Sequence, residues 1–178
     1  MTLSRVPDKT SLDSLRVLAH PLRLRILSLL TGAAMSAAEA ARELGETQAN
    51  VSYHLRRLHE AGLVDVAEEV EIRGGRAKRY RHDPASGPRF TEREPEEEQL
   101  LAAALAGELR RRTEFRSPDH RASLTDAELW IEEETWERIV EQARELGRLL
   151  HDAARPPRTA GTIQVSATVS LFVMRGGR

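Results

Sequence analysis

Cysteine is absent from all 178 residues. Disulfide staples, thiolate metal sites and cysteine nucleophiles are thereby excluded together, and a reducing compartment is accommodated without being required. Six histidines remain as metal-ligand candidates: His20, His54, His59, His82, His120 and His151. None stands four residues from another, and Asp119 and His120 are merely adjacent, so no metal site is expected. No apolar run approaches the roughly 18 residues of a membrane span. The first residues lack the basic-apolar pattern of a signal peptide. The expectation is a cytoplasmic protein with no membrane partner. A glycine-rich phosphate loop, a nucleophile motif and paired catalytic ligands are also missing, so neither an enzyme nor a cofactor is expected. The run Glu132-Glu133-Glu134 reads as a solvated helix start.

What is present is unevenly distributed. The formal charge of -1 conceals two halves of opposite sign. Residues 1–90 carry 14 Lys and Arg against 11 Asp and Glu, whereas residues 91–178 carry 13 against 17. The basic half suits a polyanionic partner, and the most informative pattern lies in that half.

Ser36-Ala37-Ala38-Glu39 is a capping box, in which the serine hydroxyl and the glutamate carboxylate satisfy each other's backbone amides. Ala37, Ala40, Ala41 and Leu44 then recur as one helical stripe. Gly45 stops that helix and Thr47 caps the next, whose stripe is Val51, His54, Leu55 and Leu58 before Gly62 ends it. Two short amphipathic helices joined by three residues, Gly45-Glu46-Thr47, make a helix-turn-helix. The second helix carries Ala49, Ser52, Tyr53, Arg56 and Arg57 opposite its apolar stripe, with Thr47, Gln48 and Asn50 near its start. Gln, Asn and Arg have the donor and acceptor geometry that base edges require. An ordinary solvated face is the plainer reading of the same residues.

A strand follows, with Val64, Val66, Val70 and Ile72 alternating against Asp65, Ala67, Glu69 and Glu71, interrupted only by Glu68. Gly74-Gly75 is the obvious two-residue hairpin turn, but that register puts Tyr80 on the polar face. An odd-length loop such as residues 73–77 instead sets Tyr80 opposite Val70 and keeps the apolar face continuous. Residues 73–81 hold Arg73, Arg76, Lys78, Arg79 and Arg81 and no acid. Such a wing suits phosphate or the minor groove, or simply discourages edge pairing. Gln48 and Arg56 are the expected base readers, Arg76 and Arg79 the expected phosphate anchors.

Residues 12–82 resemble the ArsR family of winged helix-turn-helix repressors. Leu18-Ala19-His20-Pro21-Leu22-Arg23-Leu24-Arg25-Ile26-Leu27 is similar to the family's early segment, where a pre-proline residue closes one helix and Pro21 opens the next. Residues 47–55, Thr-Gln-Ala-Asn-Val-Ser-Tyr-His-Leu, resemble its recognition helix, and Glu60-Ala61-Gly62-Leu63-Val64 its exit. The resemblance implies a homodimeric bacterial transcription regulator, usually a repressor released by an inducer. Many members sense metals through a Cys-x-Cys pair in the first helix of the motif. Residues 39–43 here offer Glu-Ala-Ala-Arg-Glu instead.

Beyond it, residues 83–95 are rich in proline, glycine and charge and read as a linker. Pro95 opens a long helix with Glu96, Glu97 and Glu98 at its positive end and Arg110, Arg111 and Arg112 at its negative end. Leu101, Leu105 and Leu109 among small alanines mark it as a dimer helix, with packing against the wing as the alternative. Residues 127–131 read as a short strand, 133–153 as a helix and 163–174 as a final strand. Trp130 and Trp136 are candidate lining for an effector pocket, core or dimer packing being the commoner fate of such residues.

The expected fold is mainly α with small β. A winged helix-turn-helix DNA-binding domain spans residues 11–83, a linker 84–95, and a C-terminal helical or β-α-β region for dimerisation or sensing 96–178. The expected function is a sequence-specific transcriptional regulator, a homodimeric repressor on a pseudo-palindromic operator in double-stranded DNA. An organic small molecule is its candidate effector. The alternative is a winged-helix protein-interaction module without specific DNA binding.

Overall fold

The computed structural model describes residues 16–72, 75–83 and 95–174. Most of the linker, Arg73, and the start of the ArsR-like segment lie outside these. Eight elements are assigned in the order α1 (Pro21–Gly32), β1 (Met35–Ser36), α2 (Ala37–Leu44), α3 (Gln48–Glu60), β2 (Asp65–Ile72), β3 (Gly75–Arg81), α4 (Pro95–Thr113) and α5 (Glu133–Ala153). The result is helical with a small antiparallel sheet, as the sequence pattern predicts.

Local chemistry sets the boundaries. His20 caps α1, its Nδ1 accepting from the Leu22 amide at 3.2 Å, with Pro21 at the first helical position. The capping box of α2 closes in both directions: Ser36 N donates to Glu39 at 2.7 Å and Glu39 N to the Ser36 hydroxyl at 3.3 Å. Gly45 takes φ 68°, a left-handed conformation open to glycine at little cost, and Thr47 accepts from Asn50 N at 3.2 Å to start α3.

Val51, Leu55 and Leu58 of α3 meet Ile26 and Leu30 of α1, Ala40 and Ala41 of α2, and Val64 in one core. The alanines keep α2 close to α3. Two arginines of α1 bind backbone rather than solvent. Arg25 donates to the carbonyl of Leu44 at 2.8 Å, satisfying an end of α2 that has no helical partner. Arg23 donates to the carbonyl of Val17 at 2.8 Å and to His54 Nδ1 of α3 at 3.1 Å.

The sheet order is β1-β3-β2, antiparallel throughout. Here the structure corrects the expected wing. Ile72 pairs with Gly75, and Val70 faces Ala77 rather than Tyr80. The parity problem is solved elsewhere, by a bulge at Ala67. Below it Val66 pairs with Tyr80 and Asp65 with Arg81; above it Glu68 pairs with Arg79. One extra residue in β2 turns Tyr80 toward the core beside buried Met35, its partner in β1. The apolar face is not continuous. By strand alternation Val70 and Ala77 share the face of Arg79.

The C-terminal region also departs from expectation. The helix at 133–153 forms, but residues 127–131 and 163–174 are not strands. A strand needs a neighbour to take its backbone hydrogen bonds, and among the described residues the only sheet is the one above. Residues 113–134 and 155–174 are exposed without interruption. The chain leaving α5 returns to the first domain: Arg158 pairs with Glu43, and the carbonyl of Arg155 lies 2.6 Å from where a Cβ on Gly32 would stand.

Candidate nucleic-acid interface

α3 presents its polar residues because its apolar ones are fixed inward. With Val51, His54, Leu55 and Leu58 buried, Gln48, Ala49, Tyr53, Arg56 and Arg57 are exposed and Ser52 is half-buried. Gln48, Ser52 and Arg56 fall at i, i+4 intervals and form one row along the helix. Tyr53 is 49% exposed and sits edge-on to His54. At the N-terminus the Thr47 cap uses one amide, while those of Gln48 and Ala49 have no intrahelical partner and point outward.

Not every expected contact residue is presented in this way. The Asn50 side chain donates to Glu46 at 3.1 Å, which ties it into the turn. Arg57 pairs with Glu60 at 3.1 Å along the exposed helix face. Arg79 is the clearest case. It donates to Glu68 at 2.7 Å and to the carbonyl of Ala34 at 2.7 Å, and lies 3.3 Å from Glu39. It fastens β3 to the start of α2. The amide and hydroxyl of Ser36, followed by Arg79, hold the Glu39 carboxyl below its ordinary range.

Counting cations along one strand overstated the positive charge of the wing. The opposing strand sets an acid across from each cation of β3: Glu71 from Arg76, Glu69 from Lys78, Glu68 from Arg79 and Asp65 from Arg81. Arg76 reaches Glu69 at 3.5 Å with 70% of its side chain exposed. An exposed pair of that kind is worth about 0–1 kcal/mol, so a phosphate can displace it. Arg76, Lys78 and Arg81 are the exposed cations of the described wing.

The contacts made by α1 had no counterpart in the sequence analysis. His20 and His54 rings lie 4.5 Å apart, with Arg23 donating to His54. Burial first, then the neighbouring charge of Arg23, lowers the His20 pKa from its ordinary 6.5. Burial followed by His20 and Arg23 does the same to His54. Spacing gave no signal, because the two rings are 34 residues apart. This junction holds α3 onto α1.

The other predicted sites are scattered. On α4 the inward face is Glu97, Ala104 and Glu108, with Leu101 and Leu105 half-buried beside it and Leu109 45% exposed. Trp130 is 97% exposed and Trp136 half-buried; neither lines the cleft beside Arg79 and Arg158 or the one between α5 and residues 167–171. Among the described residues no three acidic or histidine side chains gather as a metal site would need, and no helix is long and apolar enough to cross a membrane.

Residues 18–67 match the family model of a helix-turn-helix domain. The match runs from the end of the turn before α1 into β2, and so contains the three helices that build this surface. The chain therefore carries a helix-turn-helix domain of the DNA-binding, regulatory kind. No curated protein matches the chain.

Proposed function

We propose that the chain is a sequence-specific transcriptional regulator of the ArsR-like winged type, a cytoplasmic, bacterial homodimer that represses by occupying a pseudo-palindromic operator. The observation that carries this reading is the Gln48–Ser52–Arg56 row along α3, with Gln48 and Arg56 exposed, Ser52 half-buried between them, and the outward amides of Gln48 and Ala49 at the helix start. Gln48 and Arg56 read base edges, Ser52 and Tyr53 fill the groove between them, and Thr47 with the helix start meets phosphate. Arg76 and Lys78, with Arg73, lie along the neighbouring backbone. Arg79, Asn50 and Arg57 are engaged within the protein and support this surface. The division at residues 84–95 separates this reader from a C-terminal half that joins two copies, in which Leu101, Leu105 and Leu109 of α4 take part. An organic small molecule or a protein that engages residues 127–174 near Trp130 and Trp136 is the effector.

Selection of bound fragments from genomic DNA, followed by footprinting, tests the reading. We expect a two-fold symmetric footprint with half-sites about 10–10.5 bp apart, or a multiple of that spacing. Binding should be unaffected by added zinc, cadmium or arsenite. Equal retention of all fragments at physiological salt would overturn sequence-specific reading and favour the interaction module.

A further inference from the structure

The turn between α2 and α3 carries a single acid, and two helices hold its side chain. Glu46 directly precedes the Thr47 cap, beside the outward amides that open α3. Its own backbone amide donates to the carbonyl of Ala41 at 2.9 Å, which fixes the turn to the end of α2. One carboxylate oxygen accepts from Asn50 Nδ2 in the first turn of α3 at 3.1 Å. The other lies 3.9 Å from Arg25 of α1, and Arg25 is itself anchored on the carbonyl of Leu44 at 2.8 Å. The Glu46 side chain is 30% exposed, partly withdrawn from solvent between these two donors.

A carboxylate at this place works against the surface it adjoins. The start of α3 attracts phosphate through its unpartnered amides and its positive dipole end. A negative charge beside it occupies that field and repels the incoming DNA backbone. Asn50 has the chemistry to read adenine, yet its amide is committed elsewhere. A carboxylate only accepts, so the bond to Glu46 is a donation from Asn50. Turning to a base edge would give that bond up and release the acid. The cap of α3 is independent of it, because Thr47 Oγ1 accepts from the main-chain amide of Asn50.

We propose that Asn50 is a positioning residue that, together with Arg25, holds the Glu46 carboxylate against the protein and off the path of the DNA backbone meeting the start of α3. The proposal rests on the DNA-binding reading above and divides the labour on the helix. Gln48 and Arg56 select sequence, whereas Asn50 acts through the charge of Glu46 and so acts alike on every sequence.

A double-mutant cycle in the full chain tests it. Asn50→Ala, Glu46→Gln and the double variant are titrated against the operator recovered by genomic selection and against a duplex of unrelated sequence, and the unfolding midpoint of each is measured. Asn50→Ala keeps the helix cap, and Glu46→Gln removes the charge while leaving an acceptor in place. Asn50→Ala should weaken binding to both duplexes about two- to fivefold, the size of an exposed charge pair, and should weaken neither in the Glu46→Gln background. A loss confined to the operator makes Asn50 a base reader and overturns the proposal. An equal loss in both backgrounds, whether or not the midpoint falls with it, or no loss in either, overturns it as well. A wild-type chain that binds the two duplexes equally overturns sequence-specific reading alone, and one that binds neither overturns both.

Discussion

Gln48 and Arg56 owe their direction to neighbours that never touch solvent. Val51, Leu55 and Leu58 are each 0–1% exposed, so the helix cannot rotate its polar row away from a groove without emptying the core. Gln48→Ala and Arg56→Ala should each cost about 1–3 kcal/mol of operator binding and relax preference at particular base pairs, as titration against single-base operator variants would show. Arg79→Ala should behave differently. It removes the cation that Glu39 and Glu68 share and that reaches the carbonyl of Ala34, so thermal stability should fall. The salt dependence of DNA binding should stay the same within error. A salt slope lowered by about one would instead make Arg79 a phosphate contact. Arg76→Ala, at an exposed position paired only across the strand, should show that lowered slope with little loss of stability.

At the level of elements, α3 is held by a junction that prefers neutral histidine. His20, His54 and His82 all titrate below 6.5, each first because burial disfavours imidazolium. The unfolded chain therefore takes up protons at higher pH than the folded one. Their contribution to stability is full above pH 6.5 and is lost as the pH falls through 6.5 toward the lowered folded values. The midpoint of thermal unfolding should drop between about pH 7.5 and about pH 5.5, and drop less in His54→Gln. A flat profile would mean that these rings gain no stability from staying neutral. The caps around this junction were legible in the sequence because their chemistry is local: Ser36 and Glu39 are three residues apart, and Gly45 and Thr47 flank one turn. The wing was only half legible. Its strands follow from alternation, but its register and the acids facing its cations depend on pairing across the hairpin. The C-terminal strands were misread for a related reason, since alternation alone makes no strand and nothing among the described residues pairs with these segments.

Across the whole molecule, the segment after α5 binds the first domain through backbone as well as side chain. Gly32→Ala would place a methyl group 2.6 Å from the carbonyl oxygen of Arg155, with main chain on both sides and no flexible tip to yield. We expect a loss of about 1–3 kcal/mol, read as a lower unfolding midpoint, with faster proteolysis between α5 and residue 163. Arg158→Ala removes only the exposed pair with Glu43 and should cost about 0–1 kcal/mol. If Gly32→Ala proves as mild as Arg158→Ala, the two halves are not rigidly docked.

The bulge at Ala67 gives the wing something like a reading frame. Every other residue of β2 named in the ladder has a partner, so removing one would shift all pairs beyond it by one position and exchange the two faces. Ala67 is the position where a deletion restores a regular ladder, keeping Val66 on Tyr80 and Glu68 on Arg79. A chain lacking Ala67 should fold and keep its DNA preference, whereas one lacking Glu69 should not, and length variation among natural wings of this design should be confined to that spot and to the tip.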